Sequence, residues 1–127
     1  MNFYLFSAGI VMFALAILHS VLGERLVFRH VRAGKPGHVM ANQLLPPRRW
    51  DALWSTWHLL SVLGLGLSAA MIAAAMYDDV AKAAGTVAII MAATFAISGL
   101  YWLAGTKGKH PAWIGLLAIA ALIAAAI

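Results

Sequence analysis

The sequence predicts an all-α integral membrane protein: a four-helix bundle forming one domain over residues 1–127, with its N- and C-termini on the non-cytoplasmic side. Three observations predict it. Hydrophobic residues fill 64% of the 127 positions and charged residues only 10%, whereas an ordinary soluble domain carries about a quarter charged residues. Four apolar stretches come near the roughly 20 residues that a membrane-spanning helix needs. The basic residues gather in alternate connections, which orients the chain across the bilayer.

The first predicted helix, about 3–22, carries no charge. It lacks a basic leader and is followed by no Ala-x-Ala-like cleavage site, so it reads as a retained helix rather than a signal peptide. A basic loop, 23–50, follows with Arg25, Arg29, Arg32, Lys35, Arg48 and Arg49, and with turn signals at Gly34, Pro36-Gly37 and Pro46-Pro47. Within it, 39–45 reads as a short interfacial helix. The second and third helices are predicted over about 52–76 and 84–105, and the fourth, about 111–127, is short but uncharged.

Lys107 and Lys109 follow the third helix, whereas Asp78, Asp79 and only Lys82 separate the second from the third. The positive-inside rule therefore places the first and third connections in the cytoplasm of a bacterial-type inner membrane, crossed several times. The net charge of +5 is spent on that orientation and on anionic lipid at the basic loop, with no need for nucleic acid. The lipid bilayer is the first partner implied, and a homo-oligomer or a larger membrane complex is compatible with the sequence. No cysteine is present, which excludes disulfides and thiolate metal sites. Small-residue pairs four apart (Gly66/Ala70, Ala70/Ala74, Ala92/Ala96, Gly115/Ala119) are of the kind that lets membrane helices approach closely.

Polar groups are one-sided. By depth, His19, Glu24, His58, Tyr101 and His110 share the cytoplasmic slice, His58 roughly 9 Å in from the predicted helix start at 1.5 Å per residue. Asp51, Ser55, His58 and Ser61 follow at spacings of four, three and three, which lines one stripe of the second helix, with Trp54 beside it. Ser20 and Glu24 share a face of the first helix. His19 and Glu24, five apart, meet only if that helix ends at Gly23.

Ionisable groups at membrane depth point to function. His19 and His58, on neighbouring antiparallel helices, could hold a haem iron, with Arg25 and Arg48 near its propionates. The same pair could instead begin a transition-metal site that Glu24, Asp51 or His110 completes. A haem or metal ion bound between helices 1 and 2 is thus the leading expectation. Alternatives are a proton or cation pathway along the helix 2 stripe, histidines that only hold the helices together in a structural or partner-stabilising subunit, and an enzyme acting on lipid or quinone at the interface.

The stretch Leu18-His19-Ser20-Val21-Leu22-Gly23-Glu24-Arg25, with the later Trp57-His58, resembles a set of small four-helix bacterial inner-membrane proteins of no assigned activity. In these an HSxxGE sequence ends helix 1 and a WH opens helix 2. The resemblance covers roughly the first half of the chain and implies that His19, Glu24 and His58 belong together. Glu24-Arg25 and Arg29-His30 are also faintly similar to the membrane eicosanoid and glutathione enzymes, whose fuller Asn- and Glu-bearing pattern is missing here.

Overall fold

A computed structural model describes residues 1–29 and 46–127, apart from the side chains of Pro47 and Arg48. The expected interfacial helix at 39–45 lies outside the described residues. The described residues form four α-helices: α1, Phe3–Leu22; α2, Pro47–Met76; α3, Val80–Gly105; and α4, Ala112–Ala125. Three helical stretches, Phe3–Phe28, Arg49–Met76 and Val80–Gly105, are long and apolar enough to cross a membrane. The fourth is not. Its 14 residues rise about 21 Å, short of a hydrocarbon core about 30 Å thick.

Local chemistry sets the boundaries. Asn2 caps α1 by accepting from the Leu5 N–H at 3.1 Å, and Asp79 caps α3 by accepting from Ala81 and Lys82. That cap starts α3 at Val80, four residues before the expected position. Pro47 occupies the first turn of α2, where its missing N–H costs nothing. The helix therefore begins five residues early and includes Arg48, Arg49 and Asp51. By the same rise, His58 lies about 16 Å from the start of α2, deeper along its helix than expected.

Gly23 does not end the first helix. The chain continues into a π-helical turn, Gly23–Phe28, in which the Arg29 N–H reaches the Glu24 carbonyl five residues back. Five residues of regular α-helix would set Phe28 about 140° round from Gly23. The wider turn instead returns Phe28 to the side facing α2, where it is 1% exposed.

Each helix packs mainly against its neighbours in sequence, α1 on α2, α2 on α3 and α3 on α4. Antiparallel registers are pinned by named contacts. The Ser68 hydroxyl donates to the Gly9 carbonyl at 2.8 Å, and the Asn2 N–H donates to the Ala75 carbonyl at 2.9 Å. The N-terminal amine lies 3.4 Å from Asp78, so the N-terminus and the α2–α3 turn share one end. Gly64 lies against Ala16 and Met12 of α1, and Gly66 lies against Thr94 of α3. Of the small-residue pairs, Gly66 is thus in close contact, whereas a side chain at Gly115 would meet nothing within 4 Å.

Candidate functional site

The α1–α2 seam carries a hydrogen-bonded chain of side chains near the basic end of the molecule. Ser20 Oγ lies 2.8 Å from His58 Nδ1. His58 Nε2 lies 3.4 Å from Glu24 Oε2. The Trp54 indole N–H donates to the same carboxylate oxygen at 2.9 Å. An ionised Glu24 can only accept, so it favours the tautomer with the proton on Nε2 and leaves Nδ1 to accept from the Ser20 hydroxyl. The four-residue step from Ser20 to Glu24 and the same step from Trp54 to His58 put all four groups on facing stripes.

Burial raises the weight of these contacts. The His58 side chain is 12% exposed and that of Glu24 38%, so the imidazole depends on protein partners while the carboxylate keeps some access to water. The rings of Trp54 and His58 meet edge to face at 4.7 Å, and Phe28 approaches His58 at 5.9 Å. From α3, the Tyr101 ring lies 6.0 Å from Trp54. The Tyr101 hydroxyl is buried without a hydrogen-bond partner among the described residues. A cleft of about 350 Å³ opens onto the chain, lined by Ser20, Val21, Glu24, Arg25, Trp54 and His58.

His19 sits elsewhere. Its ring stacks face to face on Trp57, centroids 4.4 Å apart and planes 8° from parallel, and its carbonyl accepts from the Trp57 indole N–H at 3.1 Å. Gly23 makes this possible, because a Cβ there would collide with the Trp57 indole. The Trp57 ring meets that of Phe28 at 5.7 Å; sequence reasoning missed Phe28 and the seat of Trp57 on His19. The signal was present in the glycine one helical turn after His19. Phe28 was hidden because 23–50 read as loop.

The expected metal set is not assembled. Glu24 and His58 meet, but among the described residues no three His, Cys, Asp or Glu side chains come close enough to hold a metal ion. His110 is engaged elsewhere, its Nδ1 lying 3.3 Å from the Trp102 indole nitrogen and 3.3 Å from the Ala112 backbone nitrogen at the start of α4. Axial haem ligation needs a ring nitrogen with a free lone pair. Both nitrogens of His58 already have protein partners, whereas His19, its ring stacked on Trp57, keeps a buried Nε2 with no hydrogen-bond partner among the described residues. Between helices 1 and 2 the described residues thus assemble no three-ligand metal set. Of the two arginines expected beside a cofactor, Arg25 lines the His58 cleft, and the Arg48 side chain lies outside the described residues.

Nor does the α2 stripe line one passage. Ser55 is wholly buried and faces Gly105 of α3, whereas His58 turns to α1. Ser61 borders an apolar groove between α1 and α2. Asp51 lines a separate cavity of about 500 Å³ with Arg49, Thr106, Lys107, Lys109 and His110.

Described residues that are helical, with three helices among them long and apolar enough to span a membrane and a Ser–His–Glu chain on one seam, are the class that fold and site define. No family model, curated protein or solved structure matches this sequence.

Proposed function

We propose that the chain is a multi-pass protein of a bacterial-type inner membrane whose working part is an acid–base relay, Ser20–His58–Glu24, at the cytoplasmic edge. The observation that carries it is the pair of contacts on one imidazole, 2.8 Å to a hydroxyl and 3.4 Å to a carboxylate. An imidazole so placed can take a proton on one nitrogen while a carboxylate steadies the charge at the other. Trp54 holds the carboxylate in position, and the adjoining cleft gives a ligand a way to the Ser20 side.

Infrared difference spectra of the full chain in bilayers, recorded between two pH values, test the relay. A Glu24 carboxylate band and a His58 imidazole band should change together, and Glu24→Gln should abolish the first and displace the second. Bands that change independently would remove the relay as a unit.

Orientation rests on Arg25, Arg29, Arg49, Lys107 and Lys109 lying at one end and Asp78 and Asp79 at the other. A reporter active only in the cytoplasm, inserted at the α2–α3 turn, should be silent. Activity there would reverse the assignment and put the relay on the outer side. A haem or metal ion remains the second reading, and it requires His58 to exchange Ser20 or Glu24 for the metal. An intense Soret band or a stoichiometric metal in the purified protein would put it first.

A further inference from the structure

We propose that Ser20 is a nucleophile and that the relay hydrolyses a carboxylic ester carried by a long-chain amphiphile at the membrane edge. This rests on the acid–base reading above and names its substrate class. The first support is what Ser20 does with its hydroxyl. A hydroxyl on a helix commonly turns back to a carbonyl of its own helix, and Thr56, Thr94 and Thr106 do so here, to Ala52, Ile90 and Trp102. Ser68 crosses the seam to a backbone carbonyl, whereas Ser20 crosses it to an imidazole nitrogen at 2.8 Å. Nucleophile, base and a third group that orients the base then follow in hydrogen-bonded order, the arrangement that activates a serine.

The second support is the surrounding space and charge. The cleft of about 350 Å³ is bordered by Ser20 itself, so the hydroxyl lies beside a void rather than sealed in a core. Leu18, Val21 and Leu22 next to it are exposed on an apolar helix, a surface from which an acyl chain can approach. Arg25, the cation among the described residues lining the cleft, supplies positive charge for a developing oxyanion. Ser20 lies inside α1, where its own backbone N–H is committed to the helix ladder, so that stabilisation falls to Arg25.

The step balances without a further reagent. Ser20 Oγ bonds to the ester carbonyl carbon as its proton passes to His58 Nδ1, and Glu24 holds the resulting imidazolium at Nε2. The ester C–O bond breaks, and the leaving alcohol oxygen takes the proton from Nδ1. Water then adds to the acyl-Ser20 carbonyl, giving a proton to Nδ1 that returns to Ser20 Oγ as the fatty acid leaves.

The test is reaction of the full chain, in nanodiscs, with a long-chain alkyl fluorophosphonate, read by intact mass and peptide mapping. One phosphonyl adduct should form on Ser20 and be absent from Ser20→Ala. A positioned general base contributes on the order of 10²–10⁴ in rate, so His58→Gln should label at least about 100-fold more slowly. Helicity and tryptophan emission check that each variant folds. If His58→Gln does not, Glu24→Gln stands in, with slower labelling expected. No adduct on Ser20, or an equal labelling rate in the folded relay variant, overturns the proposal. The infrared coupling of Glu24 and His58 would survive that result if only the nucleophile is wrong, and would be missing if the relay itself is wrong.

Discussion

Replacing Gly23 with alanine should destabilise the helical hairpin of α1 and α2 by about 3 kcal/mol, more than any other single methyl group added to this seam. The new Cβ would collide with the Trp57 indole. Trp57 cannot simply swing aside, because its ring is stacked on His19 at 4.4 Å and its N–H is bonded to the His19 carbonyl at 3.1 Å. Forcing extra volume into a packed interior costs about 1–3 kcal/mol. Loss of the hydrogen bond adds about 1 kcal/mol, and loss of the aromatic stack adds about 0.5–1.5 kcal/mol. Reversible unfolding in mixed micelles, followed by tryptophan fluorescence, measures the change. A loss below about 0.5 kcal/mol would mean that Trp57 is not seated where α1 and α2 place it.

Glu24→Ala should produce the second large effect, about 2 kcal/mol, through the two donors it strands. The Trp54 N–H and the N–H on His58 Nε2 both face the same carboxylate oxygen. A buried donor left without an acceptor costs about 1–3 kcal/mol. The Glu24 side chain is 38% exposed, so water can replace part of what the carboxylate provides and the two losses do not simply add. Glu24→Gln keeps a carbonyl oxygen for one donor and should lose less than half as much. Paired with His58→Leu, Glu24→Ala should be non-additive, since both changes break one network. Additive losses in that cycle would separate the two residues.

How far the fold was legible depends on which physical property each feature uses. Apolar length is a property of composition, and it located the four α-helices of the described residues. Their ends depend on caps and on charged residues that helices accept readily. Arg48 and Arg49 looked like loop, although Pro47 opens a helix there. Gly23 looked like a stop because glycine is conformationally free. In the structure it sits in mid-helix with a φ of −57°, used for the room it leaves to Trp57 rather than for an unusual backbone angle.

The site was legible in depth but not in rotation. Counting residues placed His19 and His58 at one end of neighbouring helices, and they are there. Which way each ring points depends on the crossing of α1 and α2 and on the π turn, and neither is a property of spacing. His19 and Ser20 are adjacent in sequence and about 100° apart round the helix, and they fall on opposite sides of the seam. His19 meets Trp57, and Ser20 takes the partner expected for His19. The α2 stripe failed for the same reason. A helix with a neighbour on each side divides one polar stripe between two interfaces, so Ser55 turns to α3 and His58 to α1.

The central claim is that one imidazole joins a hydroxyl to a carboxylate across the α1–α2 seam. Nitrogen–carbon distance measurements by solid-state NMR, on the full chain in bilayers with labelled histidine and glutamate, address it directly. The account predicts a through-space contact between His58 Nε2 and the Glu24 carboxyl carbon that disappears in Glu24→Gln prepared without glutamine label, with Nδ1 hydrogen-bonded in the original chain and not in Ser20→Ala. A His58 ring with no carboxyl contact, or with a nitrogen shift set by a bound metal, would contradict it.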